Sequence, residues 1–292
     1  MKLPHILLAV LVAAVWGFNF VVIKVGIGNF PPLLFSALRF AVAALPLAFF
    51  IPWPKVSWRL VAGIGLVLGV VKFSLLFLGM DIGVSAGLAS LVLQMQAFFT
   101  VLFAWATLGE KPGGMQLAGI AVAFAGIGLI ALTVDGEVTL TGLALVVAAA
   151  AAWAVSNLMM KRAGQVDMLH LMVHASLVPP IPLFLLSLMF EGWDADLSAF
   201  QNLSPEGIGA VLYIAFAATI FGFAAWGMLI RTYGAGRIAP FSLLVPIFGM
   251  SSSALFLGEA FGPLRIAAAL LVITGLVLTL VRKRGPLAAP AS

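Results

Sequence analysis

No cysteine occurs in the 292 residues. That excludes a disulfide framework, a thiol nucleophile and any cysteine metal site. Charge is almost as scarce. Asp, Glu, Lys and Arg make up 9% of the chain, where a soluble domain carries about 25%. A soluble fold of this length could not cover its surface with so few charges. Acids are missing above all from the apolar runs: Asp81 sits at the rim of one, and Glu110 and Glu259 at the ends of others. A buried carboxylate is the usual relay of a proton-driven carrier, so its absence argues against that coupling, and no acidic Na⁺ site is evident. His5, His170 and His174 form no ligand-spaced set with the acids, so neither a metal nor a cofactor is expected.

What is present is apolar. Hydrophobic residues reach 63%, in runs of transmembrane length with little soluble sequence between them. The hydropathy predicts an all-α, polytopic membrane protein of ten helices: 5–27, 31–51, 60–80, 84–108, 114–133, 140–161, 168–190, 206–231, 235–257 and 263–282. Punctuation between them is clear, as in Asn29-Phe30-Pro31-Pro32, Pro52-Trp53-Pro54 and Lys111-Pro112-Gly113-Gly114. The first run follows Met1-Lys2 but extends to about Val25, too long for a cleaved leader, and is read as an uncleaved span. The Pro/Ala-rich tail 285–292 is expected to be disordered.

Lys and Arg set the orientation. With the N-terminus inside, the inner segments hold Lys2, Lys55, Arg59, Lys111, Lys161, Arg162, Arg231, Arg237, Arg282, Lys283 and Arg284, eleven of the fifteen basic residues. Asp135, Glu137, Glu191, Asp194, Asp196 and Glu206 fall outside. Both termini are therefore expected in the cytoplasm. The net charge of +5 belongs to these inner loops and implies no nucleic acid partner. The implied partners are the lipid bilayer and a small-molecule substrate. No sequence feature fixes an oligomeric state.

The chain also repeats itself. Ala86-Gly87, Leu108-Gly109-Glu110 and Gly126 return 149 residues later as Ala235-Gly236, Leu257-Gly258-Glu259 and Gly275. Trp16-x7-Lys24 returns 137 residues later as Trp153-x7-Lys161. Five spans per unit would force the copies into opposite orientations, an arrangement found in secondary transporters. The first repeat is taken as 1–134 and the second as 140–284, the change of offset being absorbed mostly near 191–205.

An ionisable side chain within a span must face a cavity, pair or snorkel. Three cations lie inside spans away from cytoplasmic ends: Lys24, Arg39 and Lys72. None has an acid within one helical turn, so each is a candidate anchor for a substrate carboxylate. The competing readings are snorkelling for Lys24, a bond to helix-end carbonyls for Arg39, and an interhelical pair for Lys72. Gln94 and Gln96 occupy mid-span. Two positions apart on an ideal helix, they should point to different faces, so at most one is expected to meet the substrate. Those two, Asn19 and Asn157 could equally be interhelical hydrogen-bonding residues. Trp16 and Trp153 are too deep for an interfacial belt and are read as cavity walls or packing residues. His174 could bind substrate or serve only structurally. Pro46, Pro179, Pro180, Pro182, Pro240 and Pro246 can kink their helices.

Several stretches together resemble a known family. They are Trp16-Gly17-Phe18-Asn19-Phe20-Val21-Val22-Ile23-Lys24, Pro31-Pro32 with Leu38-Arg39-Phe40, Ala86-Gly87-Leu88-Ala89-Ser90 and Leu93-Gln94-Met95-Gln96-Ala97-Phe98-Phe99-Thr100. Gln116-Leu117-Ala118-Gly119-Ile120, Ala239-Pro240 with Ser242-Leu243-Leu244-Val245-Pro246, and the two Gly-Glu pairs complete the set. The chain resembles the drug/metabolite transporter superfamily, EamA type, over nearly its whole length. The stretches are most similar to the branch that exports cysteine and O-acetylserine; a related branch, YddG, exports aromatic amino acids. Lys72 departs from that branch, where a neutral polar residue is expected. The resemblance implies a bacterial inner-membrane exporter of amino acids and related metabolites that works by alternating access. A proton-coupled drug or metabolite exporter is the alternative. An intramembrane enzyme would need clustered acids or a nucleophile with its base, and a channel a filter motif; neither is visible.

Overall fold

The computed structural model describes residues 1–132, 138–164 and 166–280, and among them no strand occurs. Among the described residues, ten apolar helices make the architecture: α1 (Leu3–Ile27), α2 (Pro32–Ala48), α3 (Trp58–Asp81), α4 (Ala86–Leu108), α5 (Gly114–Ala131), α6 (Leu140–Arg162), α7 (Met168–Phe190), α8 (Pro205–Tyr233), α9 (Gly236–Leu257) and α10 (Pro263–Leu280). Nine of these are long and apolar enough to cross a membrane, and α2, at 17 residues, is shorter. Asp135, Glu137, Arg282, Lys283, Arg284 and the 285–292 tail lie outside the described residues. The 191–205 connector contains a short helix, Trp193–Gln201, with Asp194 and Asp196 in its first turn, where negative charge suits the exposed backbone N–H groups.

Local chemistry explains the helix ends. Pro32 and Pro205 stand in first turns, where a missing N–H costs nothing. The Ser57, Thr139, Asp167 and Ser204 side chains accept hydrogen bonds from the first-turn backbones of α3, α6, α7 and α8. Helices α4 and α9 both end on a left-handed glycine, Gly109 (φ +70) and Gly258 (φ +68), a conformation glycine reaches without strain.

The 149-residue repeat extends to backbone irregularities. Gly65–Lys72 in α3 and Tyr213–Phe221 in α8 are π-helical. Helix α4 is interrupted at Leu93–Gln94, and α9 carries a 3₁₀ segment, Ala239–Leu243, after its first α-helical residues. Helix α7 is broken at Ser176–Pro179, where Pro179 and Pro180 prevent regular helix continuation. These interruptions surround the same central space.

Side-chain contacts sort the connectors into two ends. At one, His5 meets the Tyr233 hydroxyl, Lys161 pairs with Glu110, and Arg231 pairs with Asp167. At the other, Lys24 Nζ donates to the Met80 carbonyl (3.2 Å), Thr139 Oγ1 to the Ile82 carbonyl (2.8 Å) and Ser204 Oγ to Asn29 Oδ1 (2.5 Å). The first end is the basic one. Burial there opposes the Asp167 charge, but hydrogen bonds from Arg231 and from the Leu169 and His170 N–H groups outweigh it and hold the carboxyl below its usual value.

Close packing relies on small residues. Helices α5 and α10 cross so tightly that a Cβ added to Gly275 would lie 2.5 Å from the Gly119 carbonyl oxygen, and one on Gly119 would lie 2.6 Å from that of Gly275. The obstacle is backbone, so it cannot rotate away. Gly275→Val is expected to cost at least 1–3 kcal/mol, roughly, because the helices must separate. A lowered melting temperature in detergent checks this, and an unchanged one would contradict the close crossing. Outward, large apolar side chains stand bare: Phe49 is 82% and Phe50 84% exposed, as a lipid-facing surface requires.

Candidate functional site

A cavity of about 370 Å³ lies between the two halves of the chain, within the range of small-ligand sites. Trp16, Asn19, Arg39, Lys72, Gln94, Gln96, Trp153 and Asn157 all line it, so eight of the ten sequence candidates meet here. Lys24 and His174 do not. Lys24 is engaged by the Met80 carbonyl at the end of α3, where a cation suits the helix dipole. His174 Nδ1 lies 2.8 Å from the His170 carbonyl oxygen, and its ring stands edge-on to Trp53 at 4.8 Å.

The cations organise the cavity. Arg39 and Lys72 are each only 4% exposed. The Arg39 guanidinium carbon lies 3.8 Å from the centroid of the Phe73 ring and 4.1 Å from that of Phe40. Lys72 Nζ lies 3.3 Å from the Phe73 centroid and 4.8 Å from that of Trp153. Aromatic faces attract cations but do not neutralise them. The ion pairs among the described residues, Lys161–Glu110 and Arg231–Asp167, lie elsewhere. Among the described residues no Asp or Glu lines the cavity, and Arg39 Nε has no hydrogen-bond partner.

The neutral polar residues fall into two sets. Asn157 Nδ2 donates to Gln96 Oε1 (2.6 Å) and to Thr100 Oγ1 (3.2 Å), tying α6 to α4 at the cavity wall. Asn19 Oδ1 is buried without a partner and Gln94 is buried at the wall. Both glutamines border the cavity because the helix is interrupted at Leu93–Gln94, so the ideal-helix angle between them does not apply. Trp16 Nε1 donates to the Ala218 carbonyl at 2.9 Å. It passes so close to Gly222 that a Cβ there would lie 2.5 Å away.

Further lining residues gave no sequence signal. Phe73 is one phenylalanine among 23, and Trp226 one tryptophan among seven. Ser176, Thr219 and Ser242 also line the cavity. Ser176 lies 137 residues after Arg39, the offset of the Trp–Lys repeat, and that spacing is the one available clue. Both π-helical segments contribute, Lys72 at the end of one and Thr219 within the other, as is frequent at functional sites.

The cavity is asymmetric along the bundle. It continues past Met160, Met168, Ile230 and Ala239 toward the basic end. A wider groove of about 890 Å³, lined by Glu110, Lys111 and Lys161, opens at that end and shares only Asn157 with it. At the opposite end the chain is bridged. The Glu259 carboxylate, just past α9, accepts hydrogen bonds from the backbone N–H groups of Ala86 (2.7 Å) and Gly87 (3.0 Å) at the start of α4. The Ser85 side chain makes no cap there, so Glu259 supplies it. Glu191 does the same for Leu33 (2.8 Å) and Leu34 (3.2 Å) at the start of α2.

The profile of the EamA-like transporter family matches residues 3–132 and again residues 140–281. The chain belongs to this family. It is a polytopic membrane transporter of small metabolites, and family membership supports a role other than catalysis. The chain is 42% identical over 277 residues to a protein of Escherichia coli (strain K12) named "Probable amino-acid metabolite efflux pump", covering 93% of each. The same identity and coverage hold for the protein of that name from Salmonella typhimurium (strain LT2). A solved crystal structure matches with a TM-score of 0.64 at 19% identity, over 96% of this chain and 98% of the other, a likeness of fold.

Proposed function

We propose that this transporter exports amino acids and related metabolites across the bacterial inner membrane by alternating access. In this reading all ten helices span the bilayer, as two inverted five-helix repeats over 1–134 and 140–284, and both termini are cytoplasmic. The observation that carries it is the central cavity with two unpaired cations, Arg39 and Lys72, suited to a carboxylate. The two relatives named as amino-acid metabolite efflux pumps support the substrate class. The basic residues gathered at one end support the orientation. On that orientation the cavity extends toward the cytoplasm, the side from which an exporter loads.

The repeated motifs supply a scheme for alternation. Glu259 bridges to Ala86 and Gly87 at the external end. Their counterparts at the same offset are Glu110, Ala235 and Gly236, but Glu110 is held here by Lys161 at 2.5 Å. In the opposite state, Glu110 leaves Lys161 for the Ala235 and Gly236 N–H groups while Glu259 releases its own. With no acid among the described residues of the cavity wall, the cycle runs without a carboxylate relay, down the gradient of the solute.

Purified protein in liposomes tests this reading with labelled amino acids, beginning with cysteine and O-acetylserine because of the sequence resemblance. Saturable flux is expected with or without an imposed pH gradient. Flux only under a gradient would overturn the uncoupled cycle, and absence of flux for every amino acid and related metabolite would overturn the substrate class.

A further inference from the structure

We infer that the central cavity selects substrates carrying two anionic groups, such as acidic amino acids and short dicarboxylates, over neutral amino acids. The inference rests on the transport reading above and narrows its substrate. Arg39 and Lys72 both stand within 4 Å of the centroid of the Phe73 ring, 3.8 Å for the guanidinium carbon and 3.3 Å for Nζ. They are separate charges on separate helices sharing one aromatic wall, and among the described residues no acid lines the cavity to compensate either.

The charge balance then decides between substrate classes. A neutral amino acid brings one carboxylate and one ammonium. Its carboxylate satisfies one cation, and its ammonium adds a third positive charge to a water-poor space, where like charges repel strongly. A second carboxylate satisfies the remaining cation. Asn19 and Gln94, which line the cavity, offer neutral polar side chains to the rest of the molecule, an ammonium included where present. A bidentate carboxylate suits the planar guanidinium, while the ammonium of Lys72 takes a point contact.

Position 72 is the specificity-determining residue in this scheme. Arg39 alone would serve any amino acid, whereas Lys72 adds the demand for a second anion. Nothing in the repeat requires a charge there: the counterpart at the 149 offset is Phe221.

Full-length protein in liposomes, with labelled glutamate, succinate, serine and cysteine assayed separately, tests the inference. Glutamate and succinate are expected to be carried at least tenfold more efficiently than serine and cysteine. In Lys72→Gln the ratio of acidic to neutral flux falls at least tenfold, and in Lys72→Arg, which keeps the charge, the preference persists. Should Lys72→Gln fail to fold, ligand-induced shifts in the melting temperature of the wild-type protein, glutarate against serine, give the same comparison. Robust wild-type flux with serine equal to or better than glutamate and succinate would overturn the double-anion selection and leave the export reading standing. An unaltered preference in well-folded Lys72→Gln would remove Lys72 from that role. Absence of flux for all four compounds, with no melting shift by glutarate, would overturn this inference together with the reading beneath it.

Discussion

Arg39→Leu is expected to reduce saturable transport by about 10-fold to 100-fold while leaving the folded protein at least as stable. The two effects separate because Arg39 has no structural counter-charge. Its guanidinium lies on Phe40 and Phe73, its Nε is unpartnered, and its residue is 4% exposed. A hydrogen bond to a charged group contributes roughly 1.5–3 kcal/mol, and each 1.4 kcal/mol is a factor of about ten. Removing the anchor therefore weakens substrate binding by that range. Removing an uncompensated buried charge relieves desolvation, and an apolar side chain of similar reach fills the space. Arg39→Lys keeps the charge but loses the planar fork, so it should fall between. Flux and melting temperature measured on the same purified preparations check both halves. Wild-type flux in well-folded Arg39→Leu would remove Arg39 from the substrate site.

The second large effect is conformational. Glu259→Ala leaves the Ala86 and Gly87 N–H groups, both on buried residues, without their acceptor. A buried donor left unsatisfied costs about 1–3 kcal/mol, so with two donors orphaned the bridged state loses roughly 2–6 kcal/mol relative to one in which that end is open to water. A shift of about 2 kcal/mol already changes the ratio of two states by roughly 30-fold. The natural absence of cysteine makes this easy to read. Ser90, one turn inside α4 from the bridge, is fully buried. A Ser90→Cys thiol should react slowly with a membrane-impermeant maleimide applied outside cells, and at least tenfold faster when Glu259→Ala is added. Equal rates in the two backgrounds would argue that the Glu259 bridge does not hold its end of the bundle shut, or that this end does not face outward as proposed.

Much of the architecture was legible in the sequence. The segments expected at 84–108 and 168–190 compare with Ala86–Leu108 and Met168–Phe190, because hydropathy and the Gly and Pro punctuation act locally. The 191–205 connector was less legible. Its short helix carries only nine residues and no apolar run, so hydropathy did not mark it. The candidate site was legible as a set of residue types. Interior cations and amides in so apolar a chain are few, and most of them meet in one cavity. Which ones face it was not legible. Lys24 and Lys72 looked alike in sequence, yet one reaches a helix-end carbonyl and the other an aromatic cavity wall.

Sequence alone determined the membrane class and the helix succession, since both follow from composition and from signals a few residues long. It also carried the family resemblance and the 149-residue repeat. Only the tertiary structure decided which side chains converge. In a water-soluble protein the polar face of a helix marks the outside. In this bundle lipid and protein interior are both apolar, so the periodicity that would orient a helix is weak. Interruptions of the helices at Gly65–Lys72, Leu93–Gln94 and Tyr213–Phe221 then rotate individual residues away from their ideal positions. The sharing of the Phe73 ring by Arg39 and Lys72, and the reach of Glu259 across 172 residues of chain to Gly87, are properties of how the helices pack.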